Sequence, residues 1–260
     1  MSSALMFHDV VPPGCEDASG FPGRDAARYK VTPQHFAAHI DAILSRLGWA
    51  TASASLVITF DDGGESALRA ADVLENRRLR GWFFVTTGYI GHRGFLDARG
   101  LRDLDARGHV VGSHSRSHPL RMAHCSSRQL SDEWVGSRDD LTGILGHPVL
   151  TASVPGGDYA EQVAVAAGAA GFTTLFTSEP TRPVVHVGPV AVRGRFVVRR
   201  GTKLRTLSAH VAGSRWPAMR QFVGWNLRKG LKHATGWAYL DLRRWLLRHG
   251  DDVSWGDTKS

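Results

Sequence analysis

Cysteine is scarce in this sequence of 260 residues, which contains only Cys15 and Cys125. Neither belongs to a pair with metal-ligand spacing, so we expect free thiols rather than a disulfide or a cysteine-based zinc site. Runs of eighteen apolar residues are also absent, which excludes a membrane-spanning helix. Because the first residues lack the basic region and long apolar core of a signal peptide, we expect a cytoplasmic protein.

Acidic residues are fewer than basic ones, and this imbalance sets the charge. The chain has 32 lysines and arginines against 24 acidic residues, a formal net charge of +8. No recognised nucleic-acid-binding motif accompanies this charge, so we expect no nucleic-acid partner. A solvated basic face is the simplest interpretation of this excess. Two sharper interpretations stay open, namely a phosphate-bearing or lipid-linked substrate and peripheral contact with an anionic membrane surface.

Short apolar runs alternate with helical patterns along most of the chain. Repeated strand–helix units imply a parallel sheet with right-handed crossovers. Their number in about 210 residues favours a barrel over an open sheet. We therefore predict an α/β fold: a distorted (β/α)7-type barrel over residues 1–212, followed by a basic amphipathic helical extension over residues 213–260.

The predicted strands are apolar runs bounded by polar or turn residues. They cover Ala4–His8, Leu56–Phe60, Trp82–Thr86, His109–Ser113, Val149–Val154, Thr173–Phe176, Val184–Val187 and Phe196–Arg199. The predicted helices begin near Thr32, Glu65, Ser126 and Ala160, and Ser126 with Gln129 forms the pattern of a capping box.

Two groups of polar residues follow predicted strands and carry the chemistry. Asp61 and Asp62 follow one apolar run, and His114 and His118 follow another. Because barrel and open-sheet enzymes both place their sites at the C-terminal ends of parallel strands, we expect these side chains to converge. Two imidazoles and one carboxylate make a three-ligand site with room for water, as in hydrolytic zinc centres. The second carboxylate is then free to act as a base.

The segments Thr59–Gly63 and His114–His118 resemble the first two signatures of the polysaccharide deacetylases, carbohydrate esterase family four. A third signature is matched by Ser153–Gly157, with Ser153 where the family usually has arginine. The resemblance covers about residues 1–212. It implies a distorted (β/α) barrel and metal-dependent removal of acetyl groups, usually from N-acetylglucosamine units.

The resemblance also implies roles for the matching residues. Asp62, His114 and His118 would hold one divalent metal ion, and Asp61 would be the catalytic base. Zn²⁺ is the default ion, with Ni²⁺, Co²⁺, Mn²⁺ and Fe²⁺ as alternatives that suit imidazole and carboxylate.

The third signature would supply contacts to the substrate. The backbone N–H of Gly156 is the candidate donor to the oxyanion, with Pro155 and Tyr159 beside it. The family's arginine pairs with the base aspartate, and here Arg195 or Arg193 could bring the same charge from a late strand.

The acid that protonates the leaving amine has two candidates. The family usually places this histidine in a Leu-x-His-Asp strand near the end of the domain, where His186 is a poor match. The segment Leu5–Asp9 has the matching pattern, and a closed barrel makes its first and last strands neighbours. We therefore predict His8 as the general acid, oriented by Asp9, in a permuted variant of the family.

Together these features predict a metal-dependent N-deacetylase acting on an N-acetylhexosamine unit in a saccharide, a glycolipid or a glycosylated metabolite. An ester deacetylase and an amino-sugar deformylase would use the same residues and stay open as alternatives. So does a catalytically silent carbohydrate-binding protein, which the missing arginine favours.

Overall fold

The computed structural model describes residues 3–180 and 183–224. The strands are β1 Ser3–Phe7, β2 Leu56–Phe60, β3 Gly81–Val85, β4 Val110–Ser113, β5 Thr151–Ser153, β6 Thr174–Phe176, β7 Val185–Val187, β8 Val190–Arg193 and β9 Phe196–Val197. The helices are α1 Arg24–Ala27, α2 Pro33–Leu47, α3 Trp49–Ser55, α4 Ala67–Glu75, α5 Ala98–Ala106, α6 Ser127–Leu145, α7 Glu161–Ala169 and α8 Leu204–Val211.

The strands of the described residues form one sheet in the order β7-β8-β6-β5-β4-β3-β2-β1-β9. Neighbouring strands are parallel, except that β7 is antiparallel to β8 at one edge. Phe7 of β1 lies opposite Phe60 of β2, so these strands end at the same level. The prediction of a parallel α/β sheet is confirmed.

The sheet curls until its two ends are close together. The chain passes from β8, near one edge, to β9, at the other edge, through only Gly194 and Arg195. Three Cα–Cα steps of 3.8 Å reach at most about 11 Å, so the strands on either side of this link are near neighbours. The Arg195 guanidinium bridges the gap, because it donates to the Thr177 carbonyl after β6 and to Thr59 of β2. This is the distorted barrel that the sequence predicts.

The two faces of the curled sheet are buried in different ways. Ile58 and Phe60 of β2 belong to the large core that strands and helices share. A smaller cluster joins Ala4, Phe84 and Phe176 inside the curl. Successive side chains of a strand point to opposite faces of the sheet. The side chains of β2 that do not face the large core therefore point into the barrel.

Elements with a clear apolar pattern were predicted and elements without one were missed. Helix α2 is capped by Thr32, and α6 has the predicted capping box between Ser126 and Gln129. Helix α5 was not predicted, because it buries little beyond Leu101 and Leu104 in a charged sequence. Strand β8 was also missed, since it is short and follows the turn after β7.

The predicted C-terminal extension lies mostly outside the described residues. Residues 216–224 are helical, and the boundary at residue 212 stays a prediction. The amide of Gln221 pairs with both backbone groups of Val197 and so covers the edge of β9. None of the helices within residues 3–180 and 183–224 is long and apolar enough to cross a membrane.

Candidate active site

Asp61 and Asp62 leave the end of β2 in different directions. Asp61 continues the inward-facing row that contains Thr59, whereas Asp62 adopts a left-handed backbone conformation with φ of 80°. That conformation is uncommon for a residue with a side chain, and such strain is concentrated at functional sites. Gly63 follows with φ of 84°, and a Cβ atom there would lie 2.9 Å from a methyl carbon of Val85. The turn therefore depends on glycine.

His114 and His118 are held by a tight loop after β4. Ser115 and His118 both have left-handed backbones, with φ of 64° and 60°. The Ser115 hydroxyl accepts from the His118 N–H at 3.1 Å, and Glu133 of α6 accepts from the Ser117 N–H at 2.8 Å. These bonds replace the strand hydrogen bonds that the loop gives up, so the two imidazoles are fixed in place.

Asp62, His114 and His118 come together as one cluster. Each offers one ligand atom, and these three atoms lie within 4.8 Å of one another. The Asp62 carboxylate is 3.4 Å from His114 Nε2 and 3.5 Å from His118 Nε2. Ligands about 2.1 Å from a tetrahedral ion lie about 3.4 Å apart. The set of one oxygen and two nitrogens therefore fits a divalent ion such as Zn²⁺.

The electrostatics of the cluster favour a bound cation. Burial alone would raise the pKa of Asp62, but its interactions with His114 and His118 outweigh burial and hold the pKa well below its usual value. Burial alone would lower the pKa of His118, but the hydrogen bond and the charge of Asp62 raise it above its usual value. A buried anionic carboxylate thus attracts positive charge to this position.

Asp61 is held by a buried arginine. Its carboxylate accepts two hydrogen bonds from Arg195, at 2.6 Å and 2.8 Å. The same guanidinium donates to Thr59 and lies over the rings of Phe84 and Phe176 inside the barrel. Burial would raise the pKa of Asp61, but the Arg195 charge outweighs it and lowers the pKa. Of the two arginines considered from the sequence, Arg195 makes this pair, while the Arg193 guanidinium lies over Phe176.

Ser153 connects the base candidate to the metal-ligand candidates. Its hydroxyl lies 2.5 Å from His114 Nδ1 and donates to Asp61 at 3.2 Å. Its backbone carbonyl is 3.1 Å from the same Nδ1. A carbonyl can only accept, so the proton of His114 is on Nδ1, and Nε2 keeps its lone pair for a ligand. The sequence showed only that Ser153 stands where the family usually has arginine, and this contact was not predicted from it.

His8 lies beside the two carboxylates, at the end of β1. Its ring is 4.8 Å from the Tyr29 ring, and its buried Nδ1 has no hydrogen-bond partner among the described residues. Burial lowers the pKa of His8, although Asp62 and Asp61 act in the opposite direction. His186, the other acid candidate, is exposed on the edge strand β7.

The predicted partner of His8 is wrong. The Asp9 carboxylate accepts from Ser19 at 2.6 Å and from Ser66 at 2.8 Å, and it faces the Lys30 ammonium. It therefore joins the loop after β1 to the start of α4. The backbone explains this, because Asp9 is one residue beyond His8 and consecutive side chains of an extended chain point in opposite directions.

The third signature forms a turn after β5. Pro155 is buried, and Gly156 has φ of 63°. A Cβ atom on Gly156 would lie 3.1 Å from the Leu120 carbonyl, so the turn packs against the segment after His118. Tyr159 is partly buried nearby in the chain, and burial raises its pKa. The substrate contacts of these three residues stay a prediction.

The fold and the cluster define an α/β barrel protein with a candidate divalent-metal centre. Residues 50–175 match the family model described as polysaccharide deacetylase, and this part of the chain belongs to that family. The family predicted from the two signatures is therefore confirmed.

Curated relatives carry related names. The peptidoglycan-N-acetylmuramic acid deacetylase PdaA of Bacillus subtilis is 28% identical over 131 residues, which is 49% of this chain and 48% of PdaA. A chitooligosaccharide deacetylase of Bradyrhizobium is 30% identical over 94 residues, which is 35% of this chain and 41% of the relative. The chain thus spans about half or less of the length of these relatives.

Solved structures of low identity share the fold. A polysaccharide deacetylase from Bacillus cereus superposes with a TM-score of 0.66 at 18% identity, over 81% of this chain and 68% of the other. IcaB from Ammonifex degensii superposes with a TM-score of 0.62 at 21% identity, over 81% and 97%. These likenesses show the architecture of the barrel.

Proposed function

We propose that this protein is a metal-dependent N-deacetylase that hydrolyses the acetamide of an N-acetylhexosamine unit. One observation carries the proposal: the three ligand candidates lie within 4.8 Å of one another, with the carboxylate of Asp61 3.9 Å from His114 Nε2. A ligand cluster with an adjacent base is what hydrolysis of an amide needs. The names of the curated relatives support the same class of substrate.

In this proposal Asp62, His114 and His118 hold the ion. When bound, a divalent ion supplies Lewis-acid chemistry, since it lowers the pKa of bound water to about 7 and polarises a carbonyl. Zn²⁺ is the ion we propose, because imidazole and carboxylate ligands suit it. Ser153 fixes the tautomer of His114 and so keeps the ligand nitrogen free.

Asp61 is the general base of the proposed reaction. It takes the proton from the attacking water, and Arg195 keeps it ionised and correctly oriented beforehand. The backbone N–H of Gly156 is the proposed donor to the oxyanion, worth about 3–4 kcal/mol when well placed.

His8 is the proposed general acid. An amide nitrogen leaves only when it is protonated, and His8 is the histidine at the end of the strand next to β2. Such an acid contributes about 10²–10⁴ in rate. The sheet supports a permuted order with the acid on the first strand, because β1 lies between β2 and the late strand β9.

Aromatic side chains beside the cluster support a saccharide substrate. The Phe21 ring contacts His118 at 4.8 Å and Tyr89 at 4.9 Å, and it also packs against Phe95. All three rings are partly exposed. Partly exposed rings offer apolar faces of the kind that line ligand sites, and the C–H face of a pyranose ring matches them.

The test compares two neighbouring carboxylates. We expect wild type loaded with Zn²⁺ to release acetate from N-acetylglucosamine oligomers. Asp61→Asn should lower kcat by about 10²–10⁴ while the bound zinc stays at one equivalent. Asp62→Asn should lose both the zinc and the activity. Asp132→Asn, on the exposed surface of α6, is the matched control and should behave as wild type.

The same assay separates the alternatives. Release of formate from N-formyl sugars would identify a deformylase. Release of acetate only from O-acetyl sugars would identify an ester deacetylase. If wild type and Asp61→Asn bind the saccharide equally and neither releases any acid, the protein is a carbohydrate-binding protein and the proposal is wrong.

A further inference from the structure

An open depression lies on the surface of the described residues, outside the cluster of Asp62, His114 and His118. It has a volume of about 660 Å³ and lies between α1 and the segment that follows β9. Four arginines dominate its lining, and none of its lining residues is acidic. We call it the arginine pocket, formed by Arg24, Ala27, Arg28, Arg199, Arg200, Gly201 and Thr202.

The walls of the arginine pocket are held by backbone hydrogen bonds. The Arg200 N–H donates to the Arg28 carbonyl at 3.0 Å and so joins the two walls. The Arg199 N–H donates to the Thr202 hydroxyl at 2.9 Å, and the Thr202 N–H donates back to the Arg199 carbonyl at 2.8 Å. The side chains of Arg199 and Arg200 are therefore carried by an ordered turn rather than by a loose surface loop.

The contacts of Arg199 and Arg200 differ. Arg200 pairs with Glu16 at 2.6 Å. The Nε atom of Arg199 is buried and has no hydrogen-bond partner among the described residues. A buried donor without a partner costs free energy, and an anion in the pocket would supply the acceptor. Guanidinium groups match the oxygens of phosphate in number and geometry.

The pocket adjoins the candidate active site through one aromatic ring. The Arg199 guanidinium lies over the Tyr29 ring, 5.4 Å from its centroid, and the Tyr29 ring is 4.8 Å from the His8 ring. One aromatic side chain, that of Tyr29, therefore stands between Arg199 of the pocket and the proposed general acid. This placement fits one substrate with two parts, an amino sugar near His8 and an anion on the arginines.

We propose that the arginine pocket binds a phosphoryl group attached to the amino-sugar substrate. This inference rests on the proposed N-deacetylase function and names its substrate class, a phosphorylated N-acetylhexosamine. The phosphate can belong to a soluble sugar phosphate or to a sugar carried on a polyisoprenyl diphosphate. Both present anionic phosphoryl oxygens to Arg28 and Arg199.

The first arm of the test measures binding and needs no catalysis. Metal-free protein is titrated calorimetrically with inorganic pyrophosphate, so that a bound ion cannot hold the anion. Arg28→Gln combined with Arg199→Gln should weaken binding at least 10-fold. Arg102→Gln, an exposed arginine on α5, is the charge-matched control and should bind as wild type does. Equal binding by the double variant and wild type overturns the proposal.

The second arm measures turnover by the zinc-loaded protein. Wild type should prefer N-acetylglucosamine 1-phosphate to N-acetylglucosamine at least 10-fold in kcat/KM, and the double variant should lose this preference. Comparing the soluble sugar phosphate with the polyisoprenyl diphosphate sugar in detergent micelles distinguishes the two sources. If wild type has equal kcat/KM for the phosphorylated and the plain sugar, the arginine pocket does not bind the phosphoryl group of the substrate.

The two arms keep the subsite and the proposed function apart. If neither sugar is hydrolysed, the deacetylase function fails while the calorimetric arm still tests the pocket. If Arg199→Gln prevents folding, judged by thermal unfolding, Arg28→Gln alone should weaken pyrophosphate binding at least 3-fold. Unchanged affinity in that single variant overturns the proposal.

Discussion

At the scale of single residues, the ion pair between Asp61 and Arg195 holds the proposed base in the candidate active site. The family resemblance places an arginine where Ser153 stands, and Arg195 reaches the same carboxylate from the link between β8 and β9. Ser153 is fully buried between His114 and Asp61, so a guanidinium at that position would have no room. Serine at position 153 supplies no guanidinium to Asp61, and Arg195 supplies one from another part of the chain.

Arg195→Ala should destabilise the protein by about 3–5 kcal/mol, because it leaves Asp61 as a buried charge without a partner. The pKa of Asp61 should then rise, since burial acts unopposed by the Arg195 charge. Arg195→Lys keeps the charge and loses the two-point contact, so it should fall between wild type and alanine. Urea unfolding measures the stability, and acetate release measures the activity.

Arg77→Ala is the matched control for this prediction. Arg77 also makes a two-point pair, with Asp41 at 2.6 Å and 2.8 Å, but on the surface. Exposed pairs contribute about 0–1 kcal/mol. Equal destabilisation by Arg77→Ala and Arg195→Ala would contradict the role of burial argued here.

At the scale of elements, the loop between β1 and α2 holds the aromatic surface at the site. The Lys30 ammonium is buried and donates to the carbonyls of Glu16, Ser19 and Phe21. It also lies 3.8 Å from the Asp9 carboxylate. Three carbonyls gathered by one cation fix the path of the loop, and this path brings the Phe21 ring onto His118.

Lys30→Met should loosen this loop while keeping the length of the side chain. We expect kcat/KM to fall about 10-fold and trypsin to cleave the loop faster, at a rate set by local opening. The variant should also lose stability, because Asp9 becomes a buried carboxylate without a cation.

The double variant Lys30→Met with Asp9→Asn separates these two effects. It should regain thermal stability relative to Lys30→Met, since the amide removes the unpaired charge, while the loop stays susceptible to trypsin. Full recovery of both kcat/KM and trypsin resistance would show that the charge of Asp9, and not the lysine contacts, matters for the loop.

At the scale of the whole molecule, two polar contacts of the buried His109 ring tie a helix and two strands together. His109, just before β4, accepts from the Gly81 N–H through Nδ1 at 3.0 Å, and its Nε2 lies 2.9 Å from Glu75 of α4. Because Nδ1 must accept, the neutral ring carries its proton on Nε2. Burial lowers the pKa of His109, and the Glu75 contact only partly opposes it.

This lowered pKa predicts how stability depends on pH. The unfolded chain takes up a proton at His109 near its usual pKa of about 6.5, while the folded protein does so only at lower pH. The free energy of unfolding should therefore fall as pH drops below about 6.5, with a slope of at most about 1.4 kcal/mol per unit for this group.

Urea unfolding at pH 7.5, 6.5 and 5.5 checks the prediction against His109→Gln. Glutamine can accept from Gly81 and donate to Glu75 without titrating, so the variant should lose less stability toward pH 5.5. Other histidines titrate in both proteins and cancel in the comparison. Parallel curves for the two proteins would show that His109 is not the group responsible.

The strand-end motifs explain why much of the site could be predicted from the sequence. Asp61 and Asp62 follow β2 directly, and His114 follows β4. Because parallel strands end at the same edge of the sheet, the positions of these residues after their strands were enough to predict that they lie close together. Asp9 was assigned wrongly, because its neighbours Ser19 and Ser66 come from a loop and a helix start that no local pattern reveals. The cytoplasmic location and the roles of Pro155, Gly156 and Tyr159 stay predictions.

Local patterns in the sequence determined the parallel α/β fold, the family and the carboxylate and imidazole groups of the candidate metal centre. Hydrophobic periodicity and short motifs act over a few residues, which is the range that a sequence displays directly. Only the tertiary structure decided that Arg195 holds Asp61, that Ser153 orients His114, and that the Tyr29 ring lies between Arg199 and His8. These contacts join residues far apart in the chain, and the curl of the sheet is what brings them together.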